Sequence, residues 1–90
     1  MENQTVQQTI KERGAVYGDF GLYAQIAQEL KGIIYLYGEN LDGHQLEALE
    51  MMCVKIGRIL SGDPNYDDSW KDIAGYAILG GNLDKGNDDE

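Results

Sequence analysis

The chain has little that could staple it, charge it positively or carry it through a membrane. Cys53 is the single cysteine, so no intramolecular disulfide can form. Its place in an apolar helical pattern predicts an inert core thiol, in keeping with a reducing compartment. His44 is the single histidine. One Cys and one His cannot build a structural zinc site. A Ser/His/Asp or Cys/His nucleophile would need His44, which stands more than two turns from Cys53, so nucleophilic catalysis is discounted. No apolar run approaches the roughly 18 residues that a membrane span needs, and no charged-then-apolar leader opens the sequence. The expectation is a cytoplasmic protein that does not meet a membrane. Twelve glycines are present, yet neither G-x-x-x-x-G-K-[ST] nor G-x-G-x-x-G occurs, which leaves out the common phosphate loops.

Positive charge is scarce as well. Seven Lys and Arg stand against sixteen Asp and Glu, for a formal net charge of -9. Non-specific nucleic-acid binding needs a basic footprint and is not expected. Basic partners or bound cations are compatible with the balance. Asp84, Asp88, Asp89 and Glu90 contribute part of the excess at the end of the chain. Following Gly80 and Gly81, they predict an acidic, disordered tail over 81–90.

What is present is helical periodicity. Ninety residues make one domain, here residues 1–80, able to bury about 60–65% of its unfolded surface. Val6 and Ile10 mark a short helix that Gly14 is expected to stop, with a glycine-punctuated loop over 13–19. Phe20, Tyr23, Ala27, Leu30, Ile34 and Tyr37 alternate three and four apart, predicting a helix from Asp19 to Tyr37 with Asp19 as N-cap and Gly38 as C-cap. Leu46, Leu49, Cys53, Ile56 and Leu60 repeat the pattern over 42–60, behind an Asp42/Gln45 capping box. Ser61 to Asn65 breaks the chain around its one proline, Pro64. A last helix over 67–79 shows Trp70, Ile73, Ala74 and Ala77 as its apolar face. The fold class expected is all-α, a small bundle of three to four helices. Met51, Met52, Val54 and Ile59 on the third helix, and Ile78 and Leu79 on the last, lie off the main seams. They predict completion by a homodimer or higher homo-oligomer.

The chemistry-bearing residues sit on the last two helices. Glu47 and Glu50 form an E-x-x-E pair, and Asp68 and Asp72 lie four apart on one face of the next helix. Carboxylates on neighbouring helices are a common way for a small all-α protein to hold magnesium. The plainer reading of Asp67 and Asp68 is capping and compensation of the helix dipole, which leaves Asp72 unexplained. Lys55 and Arg58 either pair with Asp68 and Asp72 across helices or meet a phosphate. Arg13 and Tyr17 precede the long helix, while Tyr23, Trp70 and Tyr76 offer rings for a base.

The runs Glu-Arg-Gly-x-x-Tyr-Gly-Asp, Leu-Glu-Met-x-x-x-Lys-Ile-x-Arg-Ile-Leu and Asp-x-Asn-Tyr-Asp-Asp-Ser-Trp-x-Asp-Ile-Ala-Gly-Tyr-Ala cover Glu12 to Leu79. In them the chain resembles a family of small phage and prophage proteins of unknown function. More remotely, it is similar to the MazG-like all-α nucleotide pyrophosphohydrolases and to a phage nucleotide-modification-associated domain. The resemblance implies a helical oligomer in a bacterial host cytoplasm that binds magnesium through E-x-x-E and E-x-x-D and cleaves nucleoside triphosphates. By position it would assign Glu47, Glu50 and Asp72 to the metal, and Lys55 and Arg58 to phosphate. Ser69 replaces the expected Glu, and Asp68 stands one residue early, so the ligand set departs from the pattern. Three readings stay open at this point. One is a magnesium-dependent nucleotide-binding or nucleotide-hydrolysing protein, with Arg13, Tyr17 and Tyr76 completing its site. The second is a non-catalytic phage accessory protein that binds and modulates a host protein. The third is a helical oligomer whose charges are only ion pairs.

Overall fold

The computed structural model describes residues 5–85. Among them are four helices, α1 (Val6–Tyr17), α2 (Phe20–Tyr37), α3 (Gly43–Ser61) and α4 (Asp67–Gly80), and no strand. The fold is a small all-α bundle. α3 is its centre: α2 packs along one side of it, α4 along another, and α1 touches only one part of it.

Local chemistry sets the helix boundaries. Thr5 and Gln8 form a reciprocal capping box that starts α1. The helix then runs through Gly14, where a stop was expected, and ends at Gly18, whose N–H donates to the Gly14 carbonyl at 2.9 Å. A single helical glycine costs only about 1 kcal/mol against alanine, which does not break a capped turn. The Asp19 carboxylate accepts from the Leu22 N–H and opens α2. Gly38 closes it with an ordinary negative φ of -98°. Glycine is required there for space, because a Cβ would meet the Ile34 carbonyl oxygen at 2.4 Å. The Asp42/Gln45 capping box begins α3 as expected. Tyr66 precedes α4 without a side-chain cap, and Asp67 and Asp68 lie in the first turn, where they compensate the helix dipole.

α4 ends in a Schellman turn. The Leu83 N–H reaches the Ile78 carbonyl at 2.9 Å and the Asn82 N–H the Leu79 carbonyl at 3.2 Å, with Asn82 at φ 57°. The expected tail begins inside this turn, and its residues 86–90 lie outside the described residues.

Packing is sparse. Among the described residues the buried apolar ones are Ala27, Ala48 and Cys53, and no large side chain is fully enclosed. Small residues let the helices approach. A Cβ on Gly57 would meet the Tyr23 carbonyl oxygen at 2.6 Å, and one on Gly80 would meet the Ala48 Cβ at 2.7 Å. Met51, Met52, Val54 and Ile59 are half-buried, because α3 has neighbours on more than one side. Their surplus over a single seam is therefore satisfied largely within the chain. On α4 the inward residues are Ser69, Ile73, Tyr76 and Gly80, while Trp70, Ala74 and Ala77 are exposed. The packed face is rotated from the expected one, with the Trp70 indole N–H donating to the Pro64 carbonyl at 2.8 Å. Large apolar residues are left uncovered on every helix: Val6 and Ile10 on α1, Phe20, Leu22, Ile33 and Leu36 on α2, Leu60 on α3, and Trp70 with the off-seam Ile78 and Leu79 on α4. No helix is long and apolar enough to cross a membrane among the described residues.

Candidate functional site

The junction of α1 and α2 organises one end of the bundle. Gly18 takes φ 84° and is buried, and a Cβ there would stand 2.3 Å from the Ser61 carbonyl oxygen. The Ser61 hydroxyl donates to the Tyr17 carbonyl at 3.1 Å or to its own-helix Gly57 carbonyl at 2.8 Å. The Asp63 N–H donates to the Val16 carbonyl at 2.9 Å. The end of α1 is thus clamped to the end of α3, which brings Tyr17 beside Arg58.

Two guanidiniums share the Tyr17 ring. The Arg13 Cζ lies 4.8 Å and the Arg58 Cζ 4.7 Å from its centroid. Arg58 is also 5.4 Å from the Tyr23 centroid. Tyr66 meets Tyr17 edge to face at 5.7 Å, and Phe20 meets Tyr23 at 5.2 Å in the same manner. Neither arginine forms an ion pair among the described residues, and the buried Arg58 Nε has no hydrogen-bond partner. With both Cζ atoms within about 5 Å of one ring centroid, the two cations are no farther apart than about one Debye length and repel each other. Cation–π contacts of about 0.5–2 kcal/mol each hold them in place without neutralising them. The adjoining cleft, about 620 Å³, is lined by Ile10, Lys11, Arg13, Tyr17, Phe20 and Tyr23 among others. Its volume is that of a small-molecule pocket.

The carboxylates are arranged differently. Asp72 pairs with Lys55 at 3.0 Å, the lysine side chain 11% and the carboxylate 49% exposed. Glu50 accepts a hydrogen bond from the Tyr35 hydroxyl, which raises the Tyr35 pKa first through that bond and then through the carboxylate's charge. Asp68 acts on Tyr66 in the same way, its hydrogen bond being the first cause of a raised phenol pKa. Glu47 is exposed. Among the described residues no three His, Cys, Asp or Glu side chains gather as a metal-holding group. Among those residues Glu47, Glu50, Asp68 and Asp72 do not gather as one group. Magnesium usually takes one or two carboxylates together with substrate phosphates, and that mode is open to each of them separately.

Of the expected phosphate and base ligands, the structure brings together Arg13, Tyr17 and Arg58. Lys55 is turned to Asp72 instead. Tyr76 is half-buried beside a shallow depression with Lys71, Asp72, Gly75 and Leu79, away from the cleft. Sequence reasoning did not single out Tyr66, Phe20 or Lys11 for this site. The helix-breaking turn before Tyr66 is the one signal that could have pointed there, because such a turn can return a ring to the bundle end. The Cys53 thiol is buried, and that burial raises its pKa, as an inert core thiol requires.

The chain matches, over residues 3–84, a family described as Domain of unknown function (DUF6378), and belongs to it. No curated protein and no solved structure matches it.

Proposed function

We propose that this DUF6378 member binds a nucleotide, with its phosphates on Arg13 and Arg58 and its base against the Phe20 and Tyr23 rings of the α1–α2 cleft. The observation that carries the reading is the uncompensated pair of guanidiniums on Tyr17. In a chain of net charge -9, two arginines that form no ion pair among the described residues have an unmet electrostatic demand. A phosphate satisfies it with charge-assisted, forked hydrogen bonds. The neighbouring Phe20 and Tyr23 rings, which line the cleft, give a planar base a stacking surface.

Magnesium enters as the nucleotide's companion rather than as a resident ion, with Asp68, whose partner Tyr66 meets the Tyr17 ring, as the carboxylate available to it. Binding without hydrolysis is favoured by one observation: Glu50 and Asp72 are already engaged by Tyr35 and Lys55. A phage-encoded role in the host cytoplasm follows the family resemblance of the sequence.

Thermal unfolding with a panel of nucleoside mono-, di- and triphosphates, with and without magnesium, tests the proposal. Nucleotides raise Tm, magnesium alone does not, and assay of released pyrophosphate separates binding from cleavage. A panel that leaves Tm unmoved in both conditions overturns the nucleotide reading and leaves a helical adaptor.

A further inference from the structure

We infer that Tyr66 is a positioning residue for the two-arginine site: its ring, set edge to face against Tyr17, holds the Tyr17 ring where Arg13 and Arg58 share it. The use of the site rests on the nucleotide reading above; the positioning rests on the ring geometry. The two ring centroids are 5.7 Å apart at an interplanar angle of 85°, the arrangement that aromatic pairs favour. Among the described residues the guanidiniums lie over Tyr17 and Tyr23 and not over Tyr66. Tyr66 therefore acts on them through Tyr17.

The Tyr17 ring needs holding from outside its own helix. Arg13 shares α1 with it, whereas Arg58 comes from α3, and two like charges on one ring push apart. α1 has no buried residue, so packing along that helix does not fix the ring. The turn between α3 and α4 supplies the support. It is tied to the end of α1 by the Asp63 N–H, which donates to the Val16 carbonyl at 2.9 Å. The turn is also closed on itself. The Asn65 N–H donates to the Asp63 carboxylate at 2.9 Å, the Tyr66 N–H to the Asp63 carbonyl at 3.2 Å, and the Trp70 indole to the Pro64 carbonyl at 2.8 Å. At the far end of the Tyr66 ring, the hydroxyl is hydrogen-bonded to Asp68. Tyr66 is thus held at its backbone and at its tip, and its ring is a fixed stop for Tyr17.

The helix start at Tyr66 points the same way. Thr5, Asp19 and Asp42 cap the other three helices with a side-chain oxygen. Tyr66 takes the same position at α4 and makes no cap bond. An aromatic residue there forgoes the hydrogen bond that Ser, Thr, Asp or Asn would make. A local rule kept at three helix starts and broken at the fourth marks a side chain placed for another contact, and Tyr17 is the ring that it meets.

Two substitutions in the full chain separate positioning from folding. Tyr66→Ser removes the ring and supplies the cap that α4 lacks, so the helix is kept. Tyr66→Phe keeps the ring. The first reading is taken without nucleotide, by NMR of the Arg58 side-chain protons, which the face of the Tyr17 ring shifts upfield. Tyr66→Ser reduces that shift and Tyr66→Phe restores it. The second reading is calorimetric titration with a nucleoside triphosphate in the absence of magnesium. Tyr66→Ser lowers the affinity about three- to tenfold, the worth of an aromatic pair, and Tyr66→Phe recovers it. Arg58 resonances unmoved by Tyr66→Ser overturn the inference. So do resonances that move equally in both variants, or a Tyr66→Ser chain that binds the nucleotide as the parent does. A parent that binds no nucleotide while the resonances move as expected removes the nucleotide reading and supports the positioning of the arginine pair.

Discussion

The Arg58 guanidinium stands 4.7 Å from the centre of the Tyr17 ring while its Nε is buried without an acceptor. A cation fixed by an aromatic face is oriented but not neutralised, and in the proposed function a nucleotide phosphate supplies the counter-charge. Arg58→Ala is therefore expected to weaken nucleotide affinity roughly ten- to a hundredfold, the worth of a charge-assisted hydrogen bond of about 1.5–3 kcal/mol. Arg58→Lys retains charge without the fork or the stacking and recovers only part of the loss. Tyr17→Phe keeps the ring and binds as the parent does. Isothermal titration with a nucleoside triphosphate reads all three. Equal affinity in parent and Arg58→Ala places the phosphate elsewhere.

Lys55 and Asp72 are unequal partners. The lysine is buried on the central helix and the carboxylate is half in solvent, so removing each has a different consequence. Asp72→Ala leaves a buried ammonium without its counter-charge and is expected to cost about 2–3 kcal/mol, below the roughly 3–5 kcal/mol of fully buried pairs because water reaches the site. Lys55→Met frees an already hydrated carboxylate and fills the same volume with an apolar chain, for less than about 1 kcal/mol. Urea unfolding of the two variants gives the order directly. A Lys55→Met variant less stable than Asp72→Ala contradicts it.

The same pair shows what the sequence could and could not disclose. Lys55 was legible as a cation facing Asp68 or Asp72, since the spacing on two adjacent helices allows few alternatives. Its burial was not, because it depends on α3 being flanked on several sides, a property of the bundle rather than of the helix. The Asp42/Gln45 box and the Leu46 to Ile56 seam were readable because caps and periodicity act within a few residues. The packed face of α4 was misread because the size of Trp70 suggested burial, whereas Ser69 and Gly80 allow the close approach to α3. Arg13, Tyr17 and Arg58 could be named as candidates, but their meeting on one ring depends on the Gly18 and Ser61 junction, which joins residues far apart in sequence. The four carboxylates, by contrast, matched a metal pattern in spacing, and nearby donors occupy three of them.

Alkaline titration tests two of those donors. The Tyr35 and Tyr66 pKa values are raised, chiefly by hydrogen bonds to Glu50 and Asp68. A raised phenol binds its proton longer in the folded than in the unfolded chain. Its contribution to stability is complete below the ordinary tyrosine pKa of about 10 and disappears as pH rises through the folded value. Tyr35 and Tyr66 are expected to ionise late in the folded protein by ultraviolet difference absorbance. Glu50→Gln moves one of them back, and Asp68→Asn the other. A titration that neither substitution changes contradicts both hydrogen bonds.

Gly14 and Gly18 look alike in sequence and are expected to respond in opposite ways to the same substitution. Gly14 lies inside α1, and nothing lies within 4 Å of a built Cβ. Gly14→Ala removes a flexible residue from a helix interior and should stabilise by about 0.5–1 kcal/mol. Gly18 combines φ 84° and ψ -179°, a region nearly reserved for glycine that costs other residues about 1–3 kcal/mol. Its Cβ would also run into the Ser61 backbone at 2.3 Å. Gly18→Ala must therefore open the clamp that seats Tyr17 beside Arg58, lowering stability by at least about 2 kcal/mol and weakening nucleotide binding as well. Chemical denaturation and nucleotide titration of the two variants give both signs. A Gly18→Ala chain as stable as the parent would remove the junction as the element that assembles the site.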